Sequence, residues 1–295
     1  MKARTLLELG RVSNLPTVWS NVLCGAALSG APLATAPIAL VAVSGSLFYV
    51  GGMLLNDAFD AEIDRRERPE RPIPSGRATL AEVYGTGFGM LAAGLALLSV
   101  GAVLGISPAG VAWPLAGLGT ALAVVAYNRW HKGYAWSPVV MGLCRAGLYA
   151  LGALAVSASP SAQVIPAALA LLLYVVGLTH IARFETASVV GKLWPVAFLF
   201  TPVVFGFCHP ALRDGTSSPI LLLACMMFSA ASTVRALGFA RQGGRSIGRA
   251  VVSLIAGISL VDALFAACAG QNALVLGCFL ATALTFAGQR KIRGT

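Results

Sequence analysis

Long apolar runs separated by short polar segments make up most of the chain. Runs of about 17–25 residues, the length of a helix that crosses a bilayer, lie at residues 14–31, 36–55, 80–104, 107–127, 136–157, 162–182, 191–208, 217–238, 247–269 and 272–289. Glycine and proline occur inside these runs, and membrane helices contain more of both than soluble helices do. The pattern predicts an all-α polytopic membrane protein, a bundle of about nine or ten transmembrane helices.

The composition agrees with this class of protein. Hydrophobic residues make up 57% of the chain and charged residues 11%, whereas a soluble domain carries about 25% charged residues. The N-terminal segment, residues 1–11, is short and mixed in charge and is followed by one apolar run after another. We therefore expect no cleavable signal peptide there.

Basic residues are distributed unevenly along this predicted topology. If the N-terminus lies inside, the inside segments are both termini, 56–79, 128–135, 183–192 and 239–246. Of the 21 Lys and Arg residues, 20 lie in or near those segments, and only Arg213 lies in a predicted outside loop. Since Lys and Arg accumulate on the cytoplasmic side, we expect a cytoplasmic N-terminus. Topology and anionic lipid then explain the net charge of +10, which gives no reason to predict nucleic-acid binding.

Three aspartates follow the second apolar run at helical spacing. Asp57, Asp60 and Asp64 stand at i, i+3 and i+7, and Asn56 lies four residues before Asp60. If the helix continues past the membrane surface, these side chains share one face. Like charges at this spacing repel each other, so the cluster needs a cation. Mg²⁺ suits it, because that ion binds one or two carboxylates and takes other ligands from water and substrate phosphate.

Arginines and prolines come directly after the aspartates. The arginines are Arg65, Arg66, Arg68, Arg71 and Arg77, and the prolines are Pro69, Pro72 and Pro74. Arginine binds phosphate through two parallel hydrogen bonds, and the prolines end the helix and keep the loop extended. The segment predicts a diphosphate site at the cytoplasmic end of a helical bundle. The alternative is a solvated loop whose acids only balance the basic residues.

The stretch from Asn56 to Gly76 resembles the first aspartate-rich motif of the UbiA superfamily of intramembrane prenyltransferases. The family pattern NDxxDxxxD followed by RPxPxG is matched at every defined position. The resemblance implies a single UbiA-like membrane domain over residues 1–295, with a central cavity that opens to the cytoplasmic side. It also implies that Mg²⁺, held by Asp57, Asp60 and Asp64 with Asn56 orienting, bridges a prenyl diphosphate to the protein, so that the prenyl group can be transferred to an aromatic or similar acceptor.

Other positions resemble the family less closely. Arg11 and Asn14 are similar to polar residues that the family carries on its first helix, although Asn14 could also be an interfacial cap. In the segment 127–138, His131 occupies the position of the family's phosphate-binding lysine, and Lys132 follows it. We expect Lys132 to bind phosphate. Arg145 lies about two turns into a predicted span, where an ionisable residue normally faces the bundle interior unless it snorkels to the interface.

The family's second aspartate-rich motif is missing. Its expected place, residues 174–192, contains no aspartate and holds His180, Arg183 and Glu185 instead. Arg183 could neutralise phosphate directly. The stretch from Leu178 to Thr186 resembles a divergent branch of the superfamily, the EboC-like proteins.

We predict a membrane prenyltransferase whose partners are a prenyl diphosphate, a hydrophobic or aromatic acceptor and the lipid bilayer. We expect substrate contacts from Arg11, Asn14, Arg65, Arg68, Arg71, Lys132, Arg145, His180, Arg183 and Glu185. The altered second motif also leaves open a non-catalytic binder or transporter, a terpene cyclase or a phosphosugar transferase. Asp262, within a predicted span, receives no role.

Overall fold

The computed structural model describes residues 1–183, 194–212 and 218–292, and within them it contains helices and no strand. The helices are α1 (Ala3–Leu9), α2 (Leu15–Leu28), α3 (Thr35–Phe59), α4 (Ala61–Glu67), α5 (Leu80–Val103), α6 (Ala112–Trp130), α7 (Ser137–Val156), α8 (Val164–Ala182), α9 (Thr201–Cys208), α10 (Pro219–Arg241), α11 (Arg245–Cys268) and α12 (Asn272–Gln289). Short 3₁₀ segments lie at Val12–Asn14, Trp194–Phe200 and Pro210–Leu212. The all-α prediction is confirmed.

Seven of the described helices are long and apolar enough to cross a membrane, namely α3, α5, α7, α8, α10, α11 and α12. Every predicted apolar run contains a helix. However, α2 has only 14 residues, α9 has 8, and α6 is not among the seven. The number of spans therefore stays a prediction.

Apolar side chains on the outer helices are exposed, which is the arrangement expected where helices face lipid. Examples are Val100 on α5, Leu122 on α6, Met227 on α10 and Leu276 on α12. In contrast, α11 is buried over most of its length. It packs against α2, α8, α10 and α12 and forms the centre of the C-terminal half.

Helix α2 joins the two halves of the bundle, because it packs against α7 on one side and α11 on the other. Two glycines let α2 and α7 approach closely. A Cβ at Gly25 would lie 2.2 Å from the carbonyl oxygen of Tyr149, and one at Gly152 would lie 2.1 Å from that of Val22. Small residues at helix interfaces commonly permit such packing in membranes. The contact holds Asn21 of α2 beside Arg145 of α7, and Arg145 lines the central cavity.

Candidate active site

A cavity of 990 Å³ lies between the helices of the N-terminal half, α8 and α11. Asn56, Asp60, Asp64 and Arg71 line one end of it. Its remaining wall is largely apolar and includes Phe48, Leu148, Val175, Leu178, Val251 and Ile258. The cavity thus combines a charged end with space for an apolar molecule.

The three predicted aspartates lie together at the junction of α3 and α4. Helix α3 ends at Phe59, Asp60 caps it, and α4 begins at Ala61. The backbone continues with helical hydrogen bonds, since the Asp60 amide donates to the Asn56 carbonyl and the Asp64 amide donates to the Asp60 carbonyl. Asp57, Asp60 and Asp64 are all buried. The predicted shared face is therefore kept across a break between two helices.

Arg71 and Arg11 neutralise two of these carboxylates. Arg71 donates from Nη1 to Asp64 at 2.8 Å and to Asp57 at 3.2 Å, and Arg11 lies 3.3 Å from Asp57. Burial lowers the pKa of Arg71, but Asp57 and Asp64 outweigh burial and the net shift is upward. Arg71 therefore stays charged, and the proline-rich loop is tied back to the aspartates.

Asp60 pairs with two basic residues that directly follow α6. Lys132 Nζ lies 3.0 Å and His131 Nε2 lies 3.3 Å from its carboxylate oxygens. Burial would raise the pKa of Asp60, but the hydrogen bonds and charges of His131 and Lys132 outweigh burial and lower it. We call Asp57, Asp60 and Asp64, together with Arg11, Arg71, His131 and Lys132, the acidic cluster.

The donor set fits a Mg²⁺ ion that is shared with a phosphate and does not fit a closed protein cage. In the described part of the chain, no three His, Cys, Asp or Glu side chains converge on one metal position. Asp60 and Asp64 do present hard oxygen donors to the cavity. Mg²⁺ needs only one or two carboxylates when substrate phosphate and water complete its octahedron.

Asn128 also lines this end of the cavity, although it was not among the residues predicted from the sequence. Its Nδ2 donates to the Gly52 carbonyl at 2.9 Å, and its Oδ1 accepts from Asn56 Nδ2 at 3.2 Å. The bonds fix the amide of Asn56 beside the aspartates. A polar residue at the end of an apolar run, three positions before His131, was the only available signal.

The other predicted substrate contacts are distributed unevenly. Arg68 and Arg183 line the cavity, and Arg183 Nη2 donates to the Tyr134 carbonyl at 2.8 Å and to the Ser137 hydroxyl. Arg65 is exposed and pairs with Glu62 at 2.6 Å, away from the cavity lining. His180 is not among the lining residues, and Glu185 lies outside the described residues.

Arg145 forms a second polar site deeper in the bundle. It is buried, lines the cavity and lies over the ring of Tyr49 at 5.4 Å from the ring centre. Its Nη1 donates to Asn21 Oδ1 at 3.0 Å, and Asn21 Nδ2 donates to Asp262 at 2.9 and 3.0 Å. The guanidinium therefore faces the bundle interior. We call Arg145, Asn21 and Asp262 the Arg145 cluster.

Asn14 lines the cavity and contacts Tyr49, whose ring lies beneath Arg145. Its Nδ2 donates to the Tyr49 hydroxyl at 3.1 Å, and its Oδ1 accepts from Gln289 at 2.8 Å. Asp262, to which the sequence assigned no role, is fully buried and accepts hydrogen bonds from Ser20, Asn21 and Tyr149. Polar residues within apolar runs were the signal for this network, but the sequence did not show which of them meet.

A model of the UbiA prenyltransferase family matches residues 14–192, which is more than half of the chain. The chain belongs to this family. With seven described helices able to span a bilayer, it is an integral multi-pass membrane protein.

Curated relatives share shorter segments. The chain is 40% identical over 131 residues to a digeranylgeranylglyceryl phosphate synthase from Ignicoccus hospitalis, which covers 44% of this chain and 39% of the relative. It is 36% identical over 97 residues to a protein of the same name from Methanopyrus kandleri, covering 33% of this chain and 35% of the relative. The matched segments thus span well under half the length of these relatives.

Two solved structures share the fold. One, described as "Apo structure of a UbiA homolog from Aeropyrum pernix K1", superposes with a TM-score of 0.65 at 16% identity over 85% of this chain and 94% of that one. The other, described as "Structural and mechanistic insights into the biosynthesis of Digeranylgeranylglyceryl phosphate synthase in membranes", gives 0.63 at 21% identity over 91% and 98%. The predicted UbiA-like bundle is confirmed.

Proposed function

We propose that the protein transfers a prenyl group from a prenyl diphosphate to an acceptor inside the membrane. The observation that carries this proposal is that Asp60, Asp64 and the basic residues of the acidic cluster lie at one end of a 990 Å³ cavity with a largely apolar wall. A diphosphate suits the charged end, and an isoprenyl chain suits the apolar remainder. Family membership supports the same reaction.

Basic side chains around the charged end would bind the diphosphate. Arg68, Arg71, Lys132 and Arg183 line the cavity beside Asp60 and Asp64. A guanidinium has five N–H donors and an ammonium has three, so Arg71 and Lys132 can contact phosphate while they keep their aspartate partners. These residues hold the leaving group in place and stabilise the negative charge that it gains.

Asp60 and Asp64 would hold Mg²⁺, with Asn56 fixed beside them by Asn128. Asp57, the third aspartate expected to bind the ion, is not among the cavity-lining residues and pairs with Arg11 and Arg71. When bound, Mg²⁺ neutralises phosphate charge and so favours cleavage of the bond between the prenyl carbon and the diphosphate oxygen. The bonding electrons leave with the diphosphate, the acceptor atom forms the new bond to the prenyl carbon, and the departing diphosphate takes up the proton that the acceptor loses. Phe48, Leu148 and Val175 at the cavity wall would keep water from the reacting carbon.

Two classes of acceptor are candidates for the proposed reaction. The relatives' name describes a glyceryl phosphate with two geranylgeranyl groups, so an alcohol that already carries one such group is a candidate. An aromatic acceptor, implied by the sequence motif, is the other. We also propose that the charged end faces the cytoplasm, because the basic residues that flank it follow the positive-inside pattern.

Diphosphate release from labelled farnesyl and geranylgeranyl diphosphate tests this function in purified protein reconstituted in nanodiscs. The assay is run with and without Mg²⁺, and with geranylgeranylglyceryl phosphate or 4-hydroxybenzoate as acceptor. We expect Mg²⁺-dependent release, and we expect Asp60→Asn to lower it by on the order of 100-fold.

Glu62→Gln is the matched control, because Glu62 is an acid of the same helical segment that is 61% exposed and absent from the cavity lining. It should retain the wild-type rate. Binding of prenyl diphosphate without release under any condition would reject transfer and support the binder or transporter reading.

A further inference from the structure

The Arg145 cluster is a chain of hydrogen bonds from the cavity wall to a buried residue of α11. Arg145 lines the cavity, whereas Asn21 on α2 and Asp262 on α11 are completely buried behind it. The guanidinium and the carboxylate do not touch. One amide group separates them, with hydrogen bonds of 3.0 Å on the arginine side and 2.9 and 3.0 Å on the aspartate side.

The chemistry of the two ends fixes the orientation of this amide. Arginine can only donate hydrogen bonds, so the Asn21 atom that faces Arg145 must be the carbonyl oxygen. The NH₂ group of Asn21 then faces Asp262 and requires an acceptor there. Asp262 therefore sets the direction of the amide, and the amide in turn sets the position of the guanidinium.

Asp262 is suited to this role as an ionised carboxylate. The Ser20 hydroxyl, the Tyr149 hydroxyl and the Asn21 amide all donate to its two oxygens. An ionised carboxylate accepts about four hydrogen bonds and donates none. The negative charge of Asp262 partly compensates the positive charge of Arg145 without a direct contact between the two side chains.

The cavity side of Arg145 is left available. In the described part of the chain its hydrogen bonding is limited to Asn21, and no carboxylate forms an ion pair with it. Among the described residues, none of its nitrogen atoms is both buried and without a partner, so the nitrogens that make no hydrogen bond keep some exposure, and Arg145 itself lines the cavity. A cation inside a membrane bundle is costly unless it is paired, and an anion in the cavity would complete its coordination.

We propose that the Arg145 cluster binds an anionic group, a phosphate or a carboxylate, of the acceptor, with Asp262 as the positioning residue. The proposal rests on the proposed function. Arg145 lies eight residues beyond the first residue of α7, about 12 Å along the helix axis, so it is separate from the acidic cluster near the helix ends. An acceptor could then present its nucleophile to the prenyl carbon and its anion to Arg145. Asp262 lies outside the family match at residues 14–192.

Binding of matched anionic and neutral probes in nanodiscs tests this inference without turnover. The first pair is geranylgeranylglyceryl phosphate and geranylgeranylglycerol, and the second pair is 4-hydroxybenzoate and 4-hydroxybenzyl alcohol. The measured quantity is the ratio of the two affinities within each pair. For the pair that fits the cavity, we expect the wild type to prefer the anion by at least about tenfold.

Arg145→Gln and Asp262→Leu should each abolish that ratio, because the second removes the acceptor that orients Asn21, while the affinities for the neutral probe and for geranylgeranyl diphosphate change by less than about twofold. Arg145→Lys should restore part of the ratio. Tyr149→Phe is the control, because it removes one buried hydrogen bond from Asp262 and leaves the Asn21 link intact. It should lower the melting temperature and keep the ratio. If Asp262→Leu does not fold, Asn21→Leu breaks the same link.

Three results would overturn the inference: no anion preference in the wild type for either pair, an unchanged ratio in Arg145→Gln, or an equal loss of geranylgeranyl diphosphate affinity. The last result would place Arg145 in the diphosphate site. An anion preference that depends on Arg145 and Asp262, in a protein that transfers nothing, would support the site and reject the proposed function. Transfer without this dependence would do the reverse.

Discussion

The acidic cluster and the Arg145 cluster both hold charged side chains inside the helical bundle, but they pair the opposite charges differently. In the acidic cluster, cations contact carboxylates directly, as Arg71 does at 2.8 Å from Asp64 and Lys132 at 3.0 Å from Asp60. In the Arg145 cluster, the Asn21 amide stands between the guanidinium and Asp262. The first arrangement lies at helix ends and in the loops that follow them. The second lies within helices.

This difference decides what each cluster can bind. Carboxylates at the cavity wall with cations beside them present both signs of charge, which suits a metal ion together with a phosphate. In the Arg145 cluster the carboxylate lies behind an amide, so only the positively charged guanidinium lines the cavity, and this suits an anion. The local pairing in the acidic cluster also makes its members depend on one another for stability, so its substitutions should have the larger effects.

Arg71→Gln should destabilise the protein more than the other substitutions considered below, because Arg71 bridges Asp57 and Asp64 and its side chain is only 17% exposed. Its loss leaves two buried carboxylates without that partner. We expect the free energy of unfolding to fall by on the order of 3 kcal/mol. Chemical denaturation in detergent micelles, followed by tryptophan fluorescence, measures this.

Arg66→Gln is the control for that loss. Arg66 is 78% exposed and, among the residues that the structure describes, pairs only with the exposed Glu62. Pairs of this kind contribute roughly 0–1 kcal/mol. Equal destabilisation by the two substitutions would show that the bridge through Arg71 does not hold the α3–α4 junction together.

Lys132→Gln should have an intermediate effect, and on binding more than on stability. Its side chain is 45% exposed, so its contact with a phosphate is worth at most about 1 kcal/mol, or about fivefold in prenyl diphosphate affinity. The loss should shrink as salt is raised, since screening weakens exposed charges most. Titration of labelled geranylgeranyl diphosphate at two salt concentrations measures both quantities.

Arg129→Gln removes a positive charge three residues earlier, from an exposed position that is not among the cavity-lining residues. It should change the affinity by less than about twofold. If the two variants weakened binding equally, the role of Lys132 would reduce to a general contribution to the positive potential.

The fold could be predicted from the sequence because the pattern that produces it, an apolar run long enough for a membrane helix, is repeated along the whole chain. Each apolar run is a separate signal, and each run contains a helix in the structure. The bounds were less certain. The run at 14–31 forms a helix of only 14 residues, because a 3₁₀ segment at Val12–Asn14 precedes it and the helix ends before Gly30, whose φ is +79°.

The acidic cluster was predictable for a related reason, because most of its members lie within one short stretch of sequence. Asp57, Asp64 and Arg71 fall at intervals of seven, so one helical segment and the loop after it bring them together. The Arg145 cluster joins positions 21, 145 and 262, which lie on three helices. No spacing rule connects them, and only the packing of α2 between α7 and α11 shows that they meet.

Tyr49→Phe should have the smallest effect and would define where the Arg145 cluster ends. The substitution removes the hydroxyl that accepts from Asn14 at 3.1 Å but keeps the ring beneath Arg145. Asn14 still accepts from Gln289, so we expect a loss of about 0.5 kcal/mol in unfolding free energy and an unchanged preference for anionic probes. Tyr49→Leu removes the ring as well and should weaken that preference, because the cation–π contact is worth roughly 0.5–2 kcal/mol. If the anion preference fell equally in both variants, the Asn14–Tyr49 hydrogen bond, rather than the ring, would be the element that supports Arg145.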